Sequence, residues 1–180
     1  RGLGDVYKRQ KKEIKYYLNS REMFLDCRER ISVTGFTDIQ RAAMFYVLVK
    51  TGFGASLRTF GCNKKRLNTD NFADIEARLD GVVIENKDFE DLIKVYDREK
   101  ALFYCDPPYH KTERHYTVKF TEDDHERLCR VLHQIKGRFV LSYNDDKYVR
   151  DLYKDYNIQA VTRNNSLSSG DFKEVIITNF

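Results

Sequence analysis

The sequence predicts an α/β fold, and three observations carry that prediction. Beyond Gly81, short apolar runs alternate with segments of helical periodicity. One run, Ala101-Leu102-Phe103-Tyr104-Cys105, stops at Asp106-Pro107-Pro108-Tyr109, which holds the only two prolines of the chain. Ahead of Gly81 the pattern is either helical or without clear periodicity. Strands alternating with helices imply a layered, mostly parallel sheet.

In chain order, Arg1 to about Gln10 is expected to be read-in or non-native sequence, because the chain opens without methionine. The fold reading therefore starts at Lys11. Helical spacing runs from about Lys11 to Arg30, with Ile14, Tyr17, Leu18, Phe24 and Leu25 near one face. Thr37-Asp38-Ile39-Gln40 has the capping-box pattern and predicts a buried helix ending near Gly52. Gly52-Phe53-Gly54 opens a stretch without periodicity, and a short helix follows from Phe72 to Leu79. Val82-Val83-Ile84 is expected as a strand, and Asp88 caps a helix through Tyr96. Ala101 to Cys105 is a strand. Thr121 starts a helix with Leu128, Val131, Leu132 and Ile135 on one side, ended by Gly137. Phe139 to Leu141 is a strand and Asp145 to Tyr156 a helix. Ile158 to Val161 and Val175 to Ile177 are strands that pair antiparallel, since no helix lies between them.

Composition bounds the function. At 180 residues the chain has one domain's worth of sequence. No apolar run approaches the roughly 20 residues that span a bilayer. Cys27, Cys62, Cys105 and Cys129 lack Cys-x-x-Cys spacing, which argues against zinc and a disulfide framework and fits a reducing cytoplasm. No phosphate-binding loop ending Gly-Lys-Ser/Thr exists, so nucleotide hydrolysis is not expected. Net charge is +4, and the segment from Ser56 to Thr69 carries Arg58, Lys64, Lys65 and Arg66 with no acid. Such a loop suits either a phosphate-tracking face or plain solvation.

The chemistry concentrates at Asp106. The prolines fix their own φ, remove two donors and push the preceding residues into extended geometry. The bend offers two acceptors, the Asp106 carboxylate and the Pro107 carbonyl, beside the Tyr109 ring. Two adjacent acceptors suit an NH2 group, and a flat ring suits a base taken out of its stack. Bonding both N–H groups frees a lone pair otherwise delocalised into the heterocycle, by electrostatic preorganisation.

Asp106-Pro107-Pro108-Tyr109 at the end of an apolar strand resembles the catalytic motif of the Dam-like N6-adenine DNA methyltransferases. The resemblance extends from about Tyr16 to Phe180. Arg41-Ala42-Ala43-Met44-Phe45 and Gly52-Phe53-Gly54 are similar to the entry into that family's target-recognition region, and Arg58 and Asn63 to residues it uses near DNA. Cys62-Asn63-Lys64-Lys65-Arg66 departs from the family's Phe-Asn-x-Pro-x-Gly, so the recognised sequence stays open. Asn86-Lys87-Asp88-Phe89 resembles an element lying against the adenine end of S-adenosylmethionine; an N-cap and a core aromatic explain Asp88 and Phe89 equally. Leu141-Ser142-Tyr143-Asn144-Asp145 resembles a motif lining the adenine pocket, or marks a helix entry. Ser166 to Gly170 with Glu174-Val175-Ile176-Ile177 resembles the closing hairpin. Tyr116 and Phe120 fall where the family places aromatics near the flipped base, with core packing the simpler reading for Phe120. His110, Lys111, Arg114 and His115 are expected to face phosphate.

The resemblance implies a Rossmann-like methyltransferase sheet, with a helical target-recognition region over residues 11–80 inserted before the catalytic strand, and the carboxyl-terminal part of the catalytic domain over residues 81–180. The family's Gly-rich cofactor loop and second strand find no match, so the sheet is expected to be incomplete, with its first two strands missing, and the chain alone weakly active or inactive. The implied activity is site-specific transfer of a methyl group from S-adenosylmethionine to the N6 of a flipped adenine in duplex DNA, without a metal. Its expected place is the cytoplasm of a bacterial or phage-infected cell, and the resemblance admits a restriction nuclease as a partner. The absent loop leaves open an inactive DNA-binding relic. Amine methylation in RNA or of protein glutamine is the third reading, often with Asn in place of Asp106, and cytosine-N4 methylation usually has Ser there.

Overall fold

The computed structural model describes residues 3–62, 67–112, 119–164 and 171–180. Two compact units divide the chain, one ending at Val83 and the other beginning at Ile84.

The first unit is helical. It contains α1 (Leu3–Ile14), α2 (Arg21–Arg30), α3 (Asp38–Thr51) and α4 (Phe72–Leu79). The single helical stretch expected from Lys11 to Arg30 is in fact two helices. Ser20 takes extended geometry and its side chain accepts from Met23 N, which starts α2 afresh. The first of the two reaches back to Leu3, into the segment set aside in the sequence reading, and Tyr7 meets the Phe72 ring edge-on. In α3 the capping box forms as expected: Thr37 Oγ1 accepts from Gln40 N, and Thr37 N donates to Gln40 Oε1. Ala43, Met44, Val47 and Leu48 of α3 are buried, and Phe24 and Cys27 of α2 pack against them; Phe45 on the opposite side is exposed, so the helix is one-faced rather than buried all round. Gly52 ends α3 where a Cβ would collide with the carbonyls of Leu48 and Ser56.

The second unit contains α5 (Phe89–Tyr96), β1 (Leu102–Cys105), α6 (Glu122–Gln134), β2 (Arg138–Asn144), α7 (Lys147–Leu152), β3 (Asn157–Asn164) and β4 (Asp171–Thr178). The sheet order is β1-β2-β4-β3. Only β1 and β2 are parallel; β2–β4 and β4–β3 are antiparallel, which corrects the expectation of a mostly parallel sheet among the described residues. The expected strand at Val82–Ile84 does not form. Val83 and Ile84 are each 72% exposed and join no ladder, because a three-residue apolar run has no partner strand among the described residues. The helix expected from Asp145 to Tyr156 is confined to α7, with Asp146 as its N-cap.

The core lies where α5, α6 and α7 cover the sheet. Phe139, Leu141 and Tyr143 of β2 alternate inward, meeting Leu128 and Leu132 of α6, Val149 of α7, and Val175 and Ile177 of β4. Strand β1 is at the sheet's edge, and its Leu102 and Tyr104 are 63% and 69% exposed. Its register, Cys105 opposite Leu141, places the next residue, Asp106, beside Ser142.

Candidate active site

Asp106 follows β1 directly and its side chain is exposed, while Pro107, Pro108 and Tyr109 are half-buried. Ser142 Oγ donates to Asp106 Oδ1 at 2.9 Å. The tetrapeptide is then fastened to neighbouring strands at each step. The Tyr109 hydroxyl donates to Glu174 Oε1 of β4 at 3.2 Å, and its ring lies nearly parallel to Phe172, 6.2 Å between centroids. Asn144 Nδ2 donates to the His110 carbonyl at 3.2 Å. Thr112 closes a turn by donating its N–H and its hydroxyl to the Tyr109 carbonyl. A proline-stiffened loop is thus held by side chains from the ends of β2 and β4 rather than by a ladder.

Burial pushes the Tyr109 phenol up from its ordinary value, and the charges of Glu174 and Asp106 add to this against a hydrogen bond with Ser142 that lowers it. The phenol therefore stays a neutral donor.

His110 corrects an expectation. It does not face outward toward phosphate: it is 4% exposed, its Nδ1 lies 2.5 Å from Asp146 Oδ2, and its ring stacks on Tyr148 at 4.3 Å. Burial raises the Asp146 carboxyl, but hydrogen bonds from His110 and the Val149 N–H, with the charges of His110 and Lys111, bring it below its usual value. His110 thus secures the far end of the loop. Lys111 is exposed, with φ at 66°. Arg58 is exposed in the helical unit, and its carbonyl accepts from Arg28. Asn63, Lys64, Lys65, Arg66, Arg114, His115, Tyr116 and the segment Ser166 to Gly170 lie outside the described residues.

A cavity of about 440 Å³ opens along the outer side of β1, with Phe89, Ile93, Phe103, Phe120, Asp106 and Pro107 among its lining. Its size is that of small-molecule sites generally. Asp88 caps α5 as expected: its Oδ1 accepts from Glu90 N. The same carboxylate receives both guanidinium nitrogens of Arg127, at 2.8 and 2.9 Å, and this bidentate pair holds it below the usual carboxylate range. Arg127 also lies over the Phe89 ring at 4.2 Å. Phe89 reaches the cavity, and Asp88 ties α5 to α6. Phe120 both packs, against Phe89 and His125, and lines the cavity.

Arg127, Asp146 and Glu174 are the site-supporting residues that the sequence reading missed. Asp146 sits in the Asn-Asp-Asp run before α7, which reads as a plain helix entry. Glu174 is buried on the face of β4 opposite Val175 and Ile177, and the strand's alternation carries no sign of its partner 65 positions away.

A carboxylate at a strand end thus opens onto an apolar cavity, with a proline-stiffened turn and a half-buried tyrosine following it. The family model for D12 class N6 adenine-specific DNA methyltransferases matches residues 3–167, and the chain belongs to that family. It is thus a DNA adenine-N6 methyltransferase, with S-adenosylmethionine as the methyl donor its family implies, and its mixed α/β architecture is compatible with a methyltransferase fold. No match was found among curated proteins. Among the described residues no helix is long and apolar enough to cross a membrane.

Proposed function

We propose that Asp106 and the Pro107 carbonyl accept the two N–H groups of an adenine turned out of duplex DNA, and that Tyr109 stacks on that base. The observation that carries this reading is the Asp106 carboxylate: exposed, on the rim of the cavity, with one oxygen already tied to Ser142. Two fixed acceptors draw the amine toward a tetrahedral nitrogen, whose lone pair would attack the donor's methyl carbon as the carbon–sulfur bond breaks, its electron pair staying on the departing sulfur; the surplus N–H proton would then pass by way of the Asp106 carboxylate to solvent. Most of the rate comes from holding the reactants in line.

The cavity residues fit a methyl donor. Flat apolar walls from Phe89, Ile93 and Phe120 suit its adenine end, and aromatic faces favour a nearby sulfonium. When bound, S-adenosylmethionine supplies the electrophilic methyl group. Asp88 is a further proposed contact, since a carboxylate has acceptor sites to spare beside its bonds to Arg127 and Glu90 N. The helical unit, with Arg58 and the Asn63–Arg66 run, is the proposed target-recognition region, with Lys111 and Tyr116 as further DNA contacts.

Tritium transfer from labelled S-adenosylmethionine to duplex DNA tests the reading in the complete gene product. Asp106→Ala is expected to abolish transfer while duplex binding persists. Transfer surviving in that variant overturns the assignment. Binding of duplex without any transfer by the unaltered protein identifies an inactive relic.

A further inference from the structure

Ser142 stands in the middle of the sheet and is 4% exposed. It pairs with Ile176 of β4, and its predecessor Leu141 pairs with Cys105 of β1. Its backbone is therefore paired with β4 on one side and follows directly on the last β1 pair on the other, and its side chain is buried. The hydroxyl reaches Asp106 Oδ1 at 2.9 Å and the Cys105 carbonyl only at 3.5 Å. A serine hydroxyl has one proton to donate, and the nearer, charged acceptor takes it.

Asp106, in contrast, lies beyond the last ladder pair of β1, on an exposed rim. A carboxylate there has two soft torsions and no packing to fix them. Methyl transfer asks for the opposite, acceptors already set at the amine before the nitrogen begins to change shape.

We infer that Ser142 is a positioning residue for the transfer: it holds Oδ1 of Asp106, so that Oδ2, with the Pro107 carbonyl, meets the two N–H groups of the target amine. The inference rests on the reading of Asp106 as the amine's acceptor. It assigns the serine no contact with substrate. Its effect is on how often the carboxylate is correctly placed, which is an effect on kcat and not on the binding of DNA or donor.

The experiment compares Ser142→Ala, Ser142→Thr and Ser142→Val in the complete protein, with Asp106→Ala run alongside. Threonine keeps the hydroxyl and valine has the same shape without it, so the pair separates the hydrogen bond from packing. Ser142→Ala and Ser142→Val are expected to lower kcat by roughly 10- to 100-fold, the value of a hydrogen bond to a charged group. KM for duplex and the melting temperature stay near those of the parent, and Ser142→Thr recovers most of the Ser142→Val loss. Equal kcat in the threonine and valine variants overturns the inference, as does a loss that appears only in KM and thermal stability. Activity surviving in Asp106→Ala overturns the underlying reading instead, so the two failures are distinct.

Discussion

The Tyr109 hydroxyl and the Glu174 carboxyl group, 65 positions apart, meet at 3.2 Å. Glu174 is 7% exposed and lies in β4, opposite Asn144 of β2. The loop after β1 is therefore keyed to the antiparallel side of the sheet as well as to the strand it follows. Under the proposed function Tyr109 has two roles, its ring stacking on the base and its hydroxyl tied to the sheet.

That division predicts different outcomes for two variants. Tyr109→Phe keeps the ring and loses the bond, so it should lower stability by about 1 kcal/mol and kcat by only a few-fold. Tyr109→Ala removes the stacking face as well and should lower transfer by roughly 10- to 100-fold, in line with base–aromatic stacking of about 1–3 kcal/mol. Thermal melting and steady-state methylation of a duplex separate the two. Equal losses of transfer in both variants would mean that the ring does not meet the base.

Arg127 predicts a pH dependence of stability. Its guanidinium joins Asp88, Glu90 and Asp124 and lies over Phe89. Asp88 is held below its ordinary range chiefly by its hydrogen bond with Arg127, and Asp124 by the Thr121 N–H and then by Thr121 and Arg127 side chains. A carboxyl lowered in the folded state stabilises above its unfolded value, about 4, and that contribution disappears as pH falls through the lowered one. Arg127→Ala should therefore cost about 1 kcal/mol at neutral pH, because these pairs are partly exposed. The difference from the parent should shrink below pH about 4. Urea melts between pH 2 and 7 measure it; a difference that stays constant across that range would exclude the ion pairs as its source.

Much of this arrangement was legible in the sequence, and what was not has a common cause. The capping box at Thr37, the helix after Asp88 and the strand ending at Asp106 depend on residues within a few positions of each other. Propensity and periodicity report such features directly. The apolar run Val82–Ile84 misled because a strand needs a partner, and an isolated run does not say whether one exists. His110 misled because a histidine beside Lys111 reads as a surface residue, while its burial depends on Asp146 and Tyr148, far along the chain. The contacts of Asp106 with Ser142 and of Tyr109 with Glu174 are of the same kind. They follow from the β1–β2 and β2–β4 registers, which single residues do not reveal.

The thiols should react in a fixed order. Burial pushes Cys27 and Cys105 each up to about 11, and Cys129 is also raised by burial, while Cys62 is exposed. Alkylation needs the thiolate. Iodoacetamide at pH 8 should therefore label Cys62 first and leave Cys27 and Cys105 unmodified until the protein unfolds. Because these folded values lie above the unfolded ones, the stabilisation they carry is complete below pH about 8.5 and is lost as pH rises through about 11. Peptide mapping after timed labelling gives the order. Early modification of Cys105 would show that the β1 end opens in the native state.

Gly137 tests whether the site is governed from the other end of the sheet. The Asp97 carboxylate accepts from the N–H groups of Lys136 and Gly137, Arg138 N donates to the Ala101 carbonyl at 2.8 Å, and Asn179 bridges Gly137 O and Phe139 N. These bonds set where β1 and β2 begin to pair. A Cβ at Gly137 would lie 2.8 Å from the Ala101 carbonyl oxygen and 2.9 Å from that of Arg98, both backbone atoms with little freedom to yield. Gly137→Ala should cost about 1–3 kcal/mol of stability. It should also lower kcat, although it lies remote from Asp106, because forcing the strands apart at their start disturbs the register that brings Asp106 to Ser142. Melting temperature and kcat measured well below the melting transition separate these effects. A lowered melting temperature with unchanged kcat would mean that the distortion is absorbed before Cys105, and that the loop is held at its own end by Ser142, Asn144 and Glu174 alone.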